Sequence, residues 1–254
     1  MIKVAVAGYA GRMGSAVVDA VTAADDMEVA CGIDPFGKDV DFPTFETVAE
    51  AIEGASFDVL VDFTQPSVVA GNLEVALPAG VDCVVGTTGL SNEKLEELAS
   101  LAPEGTCLFY APNFTTGAVL MMQFAKAAAP FFPEAEVIEF HHCNKKDAPS
   151  GTAVRTAQMI ADARDFTSAA PGKETEIAGC EGARGTLVDG VPVHSVRSMG
   201  FVATQEVIFG SMGQTLTIKH DSWDRSSYMP GVLLGIRNVG DKSGLIIGLE
   251  SFMN

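Results

Sequence analysis

The first 110 residues alternate short apolar runs with segments of helical period, and no other feature so narrows the folds open to this chain. Ile2 to Ala7 reads as a buried strand, a Gly-rich turn follows, and from Arg12 to Ala24 apolar residues recur at helical spacing. Val29 to Ile33 is a second strand. The unit then repeats as strand Val59 to Val61, helix Pro66 to Ala79, strand Cys83 to Val85, helix Glu93 to Ala102 and strand Cys107 to Tyr110. Strands that alternate with helices form parallel sheets covered on both faces, so an α/β fold is expected.

Beyond Pro112 the pattern changes. A long apolar helix is expected from Thr116 to Ala129, a strand from Ala135 to His142 and a helix from Thr152 to Arg164, followed by a polar loop, Asp165 to Arg184. Thr186 to Val188 and Val191 to Arg197 flank Asp189-Gly190, a hairpin signal. Val202 to Phe209 and Gln214 to His220 extend an antiparallel or mixed sheet, and the last 30 residues return to helix, with Val232, Leu233, Ile236 and Val239 on one face. These shifts place one domain at residues 1–111 and 222–254 and a second at 112–221.

Composition excludes several classes. The 33 Asp and Glu against 16 Lys and Arg leave a formal net charge of −17, which argues against nucleic acid or an anionic membrane as partner. The acid excess fits either a high-salt habitat or simple solubility. No apolar stretch nears the roughly 18–20 residues that a membrane helix needs, since the richest, Gly117 to Phe132, is broken by Gln123 and Lys126. The chain starts directly in a strand pattern rather than in a signal peptide, and its five cysteines are widely spaced without Cys-x-x-Cys. Reduced thiols and a cytoplasmic location are expected.

Gly8-Tyr-Ala-Gly11-Arg-Met-Gly14 lies between the first strand and the first helix, where a diphosphate approaches bare backbone and receives N–H donors from the helix start. Glycines that serve only a tight turn are the alternative. Asp34 follows the second strand, twenty residues after Gly14, where a carboxylate accepts from ribose hydroxyls. No Arg stands beside Asp34 for a 2′-phosphate, which favours NADH, while Arg12 keeps NADPH open. Gly86-Thr87-Thr88-Gly89 and Ala111-Pro112-Asn113-Phe114 follow later strands, at the end where ligands of open parallel sheets bind.

A second constellation begins at Glu139-Phe-His141-His142-Cys-Asn-Lys145-Lys146-Asp-Ala-Pro-Ser150-Gly151-Thr152. It puts half of the chain's four histidines at a strand end and feeds a helix for which Ser150 is a plausible cap. Such a loop aims imidazoles, ammonium groups and helix-start N–H donors at one anion. Lys145 to Arg155 carries three positive charges and one negative, whereas Asp25 to Asp58 holds ten acids against Lys38 alone. At a screening length of about 8 Å the local island governs anion capture. A metal site is disfavoured, because adjacent strand residues such as His141 and His142 point to opposite faces.

Taken together, Gly8-x-x-Gly-Arg-Met-Gly14, Asp62-Phe-Thr, Gly86-Thr-Thr-Gly89, Ala111-Pro-Asn-Phe114 and His141-His-x-x-Lys145-x-Asp-Ala-Pro-Ser-Gly-Thr152 resemble the dihydrodipicolinate reductase family. These are the 4-hydroxy-tetrahydrodipicolinate reductases of the diaminopimelate and lysine pathway. The resemblance spans the whole chain, including Ile218-Lys-His-Asp-Ser222 and the segment from Arg225 to Leu234.

It implies that His141 donates or accepts a proton, that Lys145 is a second proton donor, and that His142, Lys145, Gly151 and Thr152 hold the substrate carboxylates. Cofactor contacts are implied at Gly8, Tyr9, Ala10, Gly11, Arg12 and Met13, at Asp34, at Gly86, Thr87 and Thr88, and at Ala111, Pro112, Asn113 and Phe114. The implied cofactor is NADH or NADPH, and the implied substrate is a small dicarboxylate. The family fold is a Rossmann dinucleotide-binding domain completed by the C-terminal helix, with an inserted α/β substrate-binding and oligomerisation domain whose sheet builds a homotetramer. Such a plan leads us to expect closure over cofactor and substrate. One departure is Thr204, where relatives often carry His. A different Rossmann reductase, or a non-catalytic dinucleotide sensor, would explain the first 110 residues equally well, but would leave the His-Lys-Ser-Gly-Thr segment without a role.

Overall fold

The computed structural model describes residues 1–165, 177 and 182–253. Most of the expected polar loop from Asp165 to Arg184, with Cys180 in it, lies outside the described residues. The chain divides into two compact units, Met1–Thr116 with Arg225–Asn254, and Gly117–Asp224.

The first unit is built on seven parallel strands: β1 (Ile2–Ala7), β2 (Met27–Ile33), β3 (Thr44–Phe45), β4 (Val59–Asp62), β5 (Asp82–Val85), β6 (Cys107–Tyr110) and β12 (Gly244–Ile247). Their order is β12-β6-β5-β4-β1-β2-β3. The central strands are buried on both faces, which is why they read as unbroken apolar runs instead of alternating ones. On one face Ala5, Ala7, Leu60 and Leu108 pack with Val48 and Ala51 of α2 (Val48–Gly54), Leu73 of α3 (Val69–Ala76) and Leu95 and Leu98 of α4 (Asn92–Ala99). Helices α1 (Arg12–Thr22) and α7 (Met229–Val239) also pack on the sheet and on each other.

Several expectations are corrected here. The sequence pattern omits β3 and α2, which lie in the acid-rich stretch, and the tail adds strand β12 as well as a helix. In α7 the buried line is Val232, Ile236 and Val239, with Gly231 and Gly235, while Leu233 is only half-buried. Gly235 is required by packing, since a Cβ there would lie 2.7 Å from the Phe109 ring. Cys31, Cys83 and Cys107 are buried, and burial pushes the Cys31 thiol up to about 11 and, with nearby Asp82, the Cys107 thiol up to about 12. Such thiols are structural and inert.

The second unit holds α5 (Thr116–Ala128), β7 (Glu134–His141), α6 (Gly151–Asp162), β8 (Thr186–Val188), β9 (Val191–Arg197), β10 (Ala203–Ser211) and β11 (Gln214–Ser222). The sheet order is β11-β10-β7-β9-β8, and it is mixed because β7 and β9 run parallel while the other pairs are antiparallel. Asp189 (φ 48°) and Gly190 (φ 83°) turn the β8–β9 hairpin with both residues in the left-handed region. Val137, Val193, Val207 and Phe209 are buried, as are Ala153, Ala157 and Ile160 of α6, which packs on β7 and β9. The alternate residues Ile138, Phe140, Val196 and Ile208 point to the opposite face and are only partly buried. Thr204 donates from Oγ1 to Asp221 Oδ1 at 2.7 Å, and this bond holds the Asp221 carboxyl below its usual range.

Candidate functional site

In the first unit, sequence order reverses between β1 and β4, and the candidate cofactor residues lie at the carboxyl edge beside that reversal. Gly8 has φ 80°, and its N–H reaches Ile33 O at 2.8 Å. A Cβ on Gly8 would sit 2.7 Å from Phe63 O, one on Gly14 would sit 2.0 Å from Gly8 O, and one on Gly86 would sit 2.1 Å from the Phe63 ring. These glycines therefore let three strand-to-helix turns come together. Helix α1 starts behind Gly11 without a side-chain cap and without an acid in its first turn. Bare backbone at an uncapped helix start fits the diphosphate of a dinucleotide.

The structure divides the sequence-selected cofactor residues into exposed and packed groups. Arg12, Thr88 and Pro112 are exposed, and Ala10, Met13 and Asn113 are half-buried. Tyr9 is 3% exposed: its hydroxyl accepts from Lys38 N at 2.8 Å and donates to Lys38 O at 3.1 Å, and its ring packs edge-on against Phe42. Only the Tyr9 backbone is available to a ligand. Ala111 and Phe114 are likewise buried, Phe114 against Phe63 and Phe109. Asp34 accepts from Phe36 N at 2.9 Å and borders a cavity of about 500 Å³ that Glu46 and Glu50 also line.

Beneath these turns is a residue to which the spacing gave no role. Asp62 ends β4 with 0% exposure, and its Oδ1 accepts from Thr64 N (3.0 Å), Thr64 Oγ1 (2.7 Å) and Thr87 Oγ1 (2.7 Å). Its Oδ2 accepts from Asn72 Nδ2 at 2.8 Å. Thr87 is thus a buried strut of the turn after β5.

In the second unit, β7 delivers His141 at its end, the loop carries His142 and Lys145, and α6 starts at Gly151. Ser150 caps α6, its Oγ accepting from Ala153 N at 3.2 Å. Gly151 is exposed, and nothing lies within 4 Å of where its Cβ would be. His142 is exposed, whereas His141 is half-buried. Lys145 Nζ pairs with both oxygens of Asp147 at 2.9 Å, so part of the expected positive island is internally compensated. Among the described residues, no group of three His, Cys, Asp or Glu side chains is placed to hold a metal ion.

The organiser of this loop is Glu139, also 0% exposed. It shares the strand face of His141, two residues on, and its Oε2 is hydrogen-bonded to His141 Nδ1. Arg197 donates to it from Nη1 and Nη2, each at 2.8 Å, and Ser150 N donates at 3.2 Å. Arg197 Nη2 also donates to Asp147 O at 2.7 Å. One carboxylate therefore ties both ends of the loop to β9. Burial alone would raise the Glu139 pKa, but hydrogen bonds from Arg197, Ser195 and His141 outweigh it and hold it below the ordinary range. For His141, burial lowers the pKa more than the Glu139 contact restores it, with Lys145 and Arg197 lowering it further.

Sequence spacing missed Glu139, Arg197 and Asp62 as site residues. The i, i+2 relation of Glu139 to His141 was a usable signal. For Arg197 none exists in the linear sequence, because it meets Glu139 across 58 residues through the β7–β9 pairing.

Comparison with known proteins covers both units. A family model described as "Dihydrodipicolinate reductase, N-terminus" matches residues 2–114, and one described as "Dihydrodipicolinate reductase, C-terminus" matches residues 117–253. A 4-hydroxy-tetrahydrodipicolinate reductase of Mycobacterium marinum is 49% identical over 255 residues, covering 100% of this chain and 99% of that protein. A solved dipicolinate-bound dihydrodipicolinate reductase from Paenisporosarcina sp. TG-14 superposes with a TM-score of 0.89 at 41% identity, covering 99% of each chain. A myo-inositol 2-dehydrogenase from Lactobacillus plantarum, with a TM-score of 0.64 at 11% identity over 99% of this chain and 93% of that one, shares the fold alone. The chain belongs to the dihydrodipicolinate reductase family.

Proposed function

We infer that the chain reduces 4-hydroxy-2,3,4,5-tetrahydrodipicolinate to 2,3,4,5-tetrahydrodipicolinate with loss of water, using a reduced nicotinamide cofactor, in diaminopimelate and lysine biosynthesis. The observation that carries this reading is the braced loop of the second unit, where His141 is held by Glu139 beside Lys145 and the start of α6. Hydride addition to a conjugated cyclic imine leaves electron density that a nearby acid must protonate. With Nδ1 turned to Glu139, His141 presents Nε2 for that transfer. Lys145 anchors a carboxylate by exchanging Asp147 for it, and also delivers a proton. His142 and the first residues of α6, Gly151 and Thr152, complete the cradle for the dicarboxylate. Each of these roles accords with the family likeness and the local geometry.

In the first unit the cofactor would lie along Gly8 to Met13, Asp34, Gly86 to Thr88 and Ala111 to Phe114, where it supplies the hydride. The cavity beside Asp34, lined also by Glu46 and Glu50, is unfavourable for a 2′-phosphate, and NADH is the favoured cofactor. A strong NADPH preference in kcat/KM would overturn that choice. The partly buried apolar face with Ile138, Phe140, Val196 and Ile208 is taken as the contact between copies in a cytoplasmic homotetramer, and a monomer by light scattering would refute it.

The reaction is tested by following nicotinamide absorbance with substrate made in place from pyruvate and aspartate semialdehyde. Oxidation only when both precursors and the synthase are present supports the reading. Cofactor binding without turnover favours a sensor, and turnover on an unrelated amino acid or sugar favours another reductase.

A further inference from the structure

We propose that Asp62 is a positioning and charge-setting residue, which fixes the turns after β4 and β5 and biases this edge of the sheet toward the cationic, oxidised nicotinamide ring. The proposal rests on the cofactor reading above.

Asp62 stands at the carboxyl end of β4, the strand next to β1 at the reversal of strand order. Its partners come from three places: Thr64 in the turn after β4, Asn72 on α3 and Thr87 in the turn after β5. The residue between Asp62 and Thr64 is the one against which Gly8 and Gly86 close, since added Cβ atoms there would strike the Phe63 carbonyl and ring. Displacing Asp62 would thus disturb three turns that form the cofactor edge.

The chemistry of the knot goes beyond packing. The Thr64 backbone amide can only donate, and Asn72 Nδ2 and the two hydroxyls also donate to the carboxylate, so Asp62 serves as the acceptor in all four bonds. All four donors are neutral, so none of these partners brings a positive charge to the Asp62 carboxylate. Burial, and after it the nearby Asp62 carboxyl, push the Cys83 thiol well above its usual range.

Hydride transfer supplies a use for the charge. The C4–H bond of the dihydronicotinamide breaks, its electron pair and hydrogen form a new C–H bond at the substrate's acceptor carbon, and the ring is left as a pyridinium cation. A fixed anion buried at this edge stabilises that cation over the neutral ring without reorganising. It thereby strengthens the hydride donor.

The test is calorimetric measurement of the dissociation constants of NADH and NAD⁺, or of NADPH and NADP⁺ if these bind more tightly. In Asp62→Asn, affinity for the oxidised form should fall about tenfold more than affinity for the reduced form, the order expected for losing one internal charge pair. In Thr87→Val the carboxylate remains, so both affinities should fall by the same factor. Equal changes in Asp62→Asn, or none, overturn the proposal and leave the cofactor reading standing. A wild-type protein that binds neither dinucleotide overturns both. Should Asp62→Asn fail to melt cooperatively, Asn72→Lys neutralises the same carboxylate from α3, and the same selective loss is required of it.

Discussion

Each unit is organised around a buried carboxylate, and the two are surrounded in opposite ways. Glu139 meets a guanidinium, an imidazole, the Ser195 hydroxyl and one backbone amide. Asp62 meets two hydroxyls, a side-chain amide and a backbone amide. Both hold loops to which the proposed function assigns a role, but a charged partner cancels the anion and couples it to titration, whereas neutral donors solvate it and leave its field in place. In the proposed reading the anion is compensated where a dianionic substrate would bind, and the other has only neutral partners where we propose that a cation forms. The two knots should therefore fail differently when cut.

The largest difference is expected in stability. Arg197→Met strands the Glu139 charge in the interior, and breaking a buried pair by removing one partner costs about 3–5 kcal/mol. Thr87→Val takes one of four neutral donors from Asp62 and should cost about 1–2 kcal/mol. Urea unfolding measures both. Equal losses would mean that the partner's charge is irrelevant and would break the contrast.

The next effect is on turnover. His141→Ala and Lys145→Ala should each lower kcat by about 10²-fold or more, as removal of a general acid does. Thr87→Val, which touches no reacting group in this reading, should act mainly through cofactor affinity. If both alanine variants keep kcat within about threefold of wild type, the proton-transfer assignment fails, although Glu139 would still brace the loop.

How much of this was legible in the sequence follows from what each feature depends on. Strands β1, β4, β5 and β6 were readable because burial on both faces writes an apolar run into three or four consecutive residues. Strand β3 has only two residues and α2 buries only Val48 and Ala51, so neither carries a period above the surrounding acids. Strand β12 is as long as β4 but only partly buried, so it carries a weaker apolar signal beside the helical pattern of α7. At the site, His141, Lys145, Gly151 and Thr152 were visible as chemical types within one short segment running from the end of β7 to the start of α6. Arg197 was not, because strand pairing alone brings it beside the loop. Asp62 was visible only as part of the Asp62-Phe-Thr motif, since the value of a buried carboxylate lies in donors drawn from separate turns. Tyr9 and Phe114 show the reverse case, in which motif position pointed to a ligand and folding used the side chain for packing.

The subtlest distinction is in pH dependence. The Glu139 contact raises the His141 pKa against the larger lowering by burial, so Glu139→Gln removes the one favourable contribution while keeping the shape. The His141 pKa then falls further below its ordinary value. A proton donor is competent only below its pKa, so the alkaline limb of kcat/KM should move to lower pH, by less than about one unit, the pKa change that some 1.4 kcal/mol of lost interaction would produce. Folding stability follows the same sign: an imidazole held neutral contributes above its unfolded pKa, and that contribution is lost as pH falls through the lowered folded value. The variant should therefore lose more stability than wild type on going from neutral to mildly acidic buffer. Asp62→Asn removes a charge that is not coupled to His141 and should leave the alkaline limb in place. A limb that moves equally in both variants would show that the pH response reports general loosening of the fold. If it moves in neither, Glu139 acts on His141 only by holding its ring.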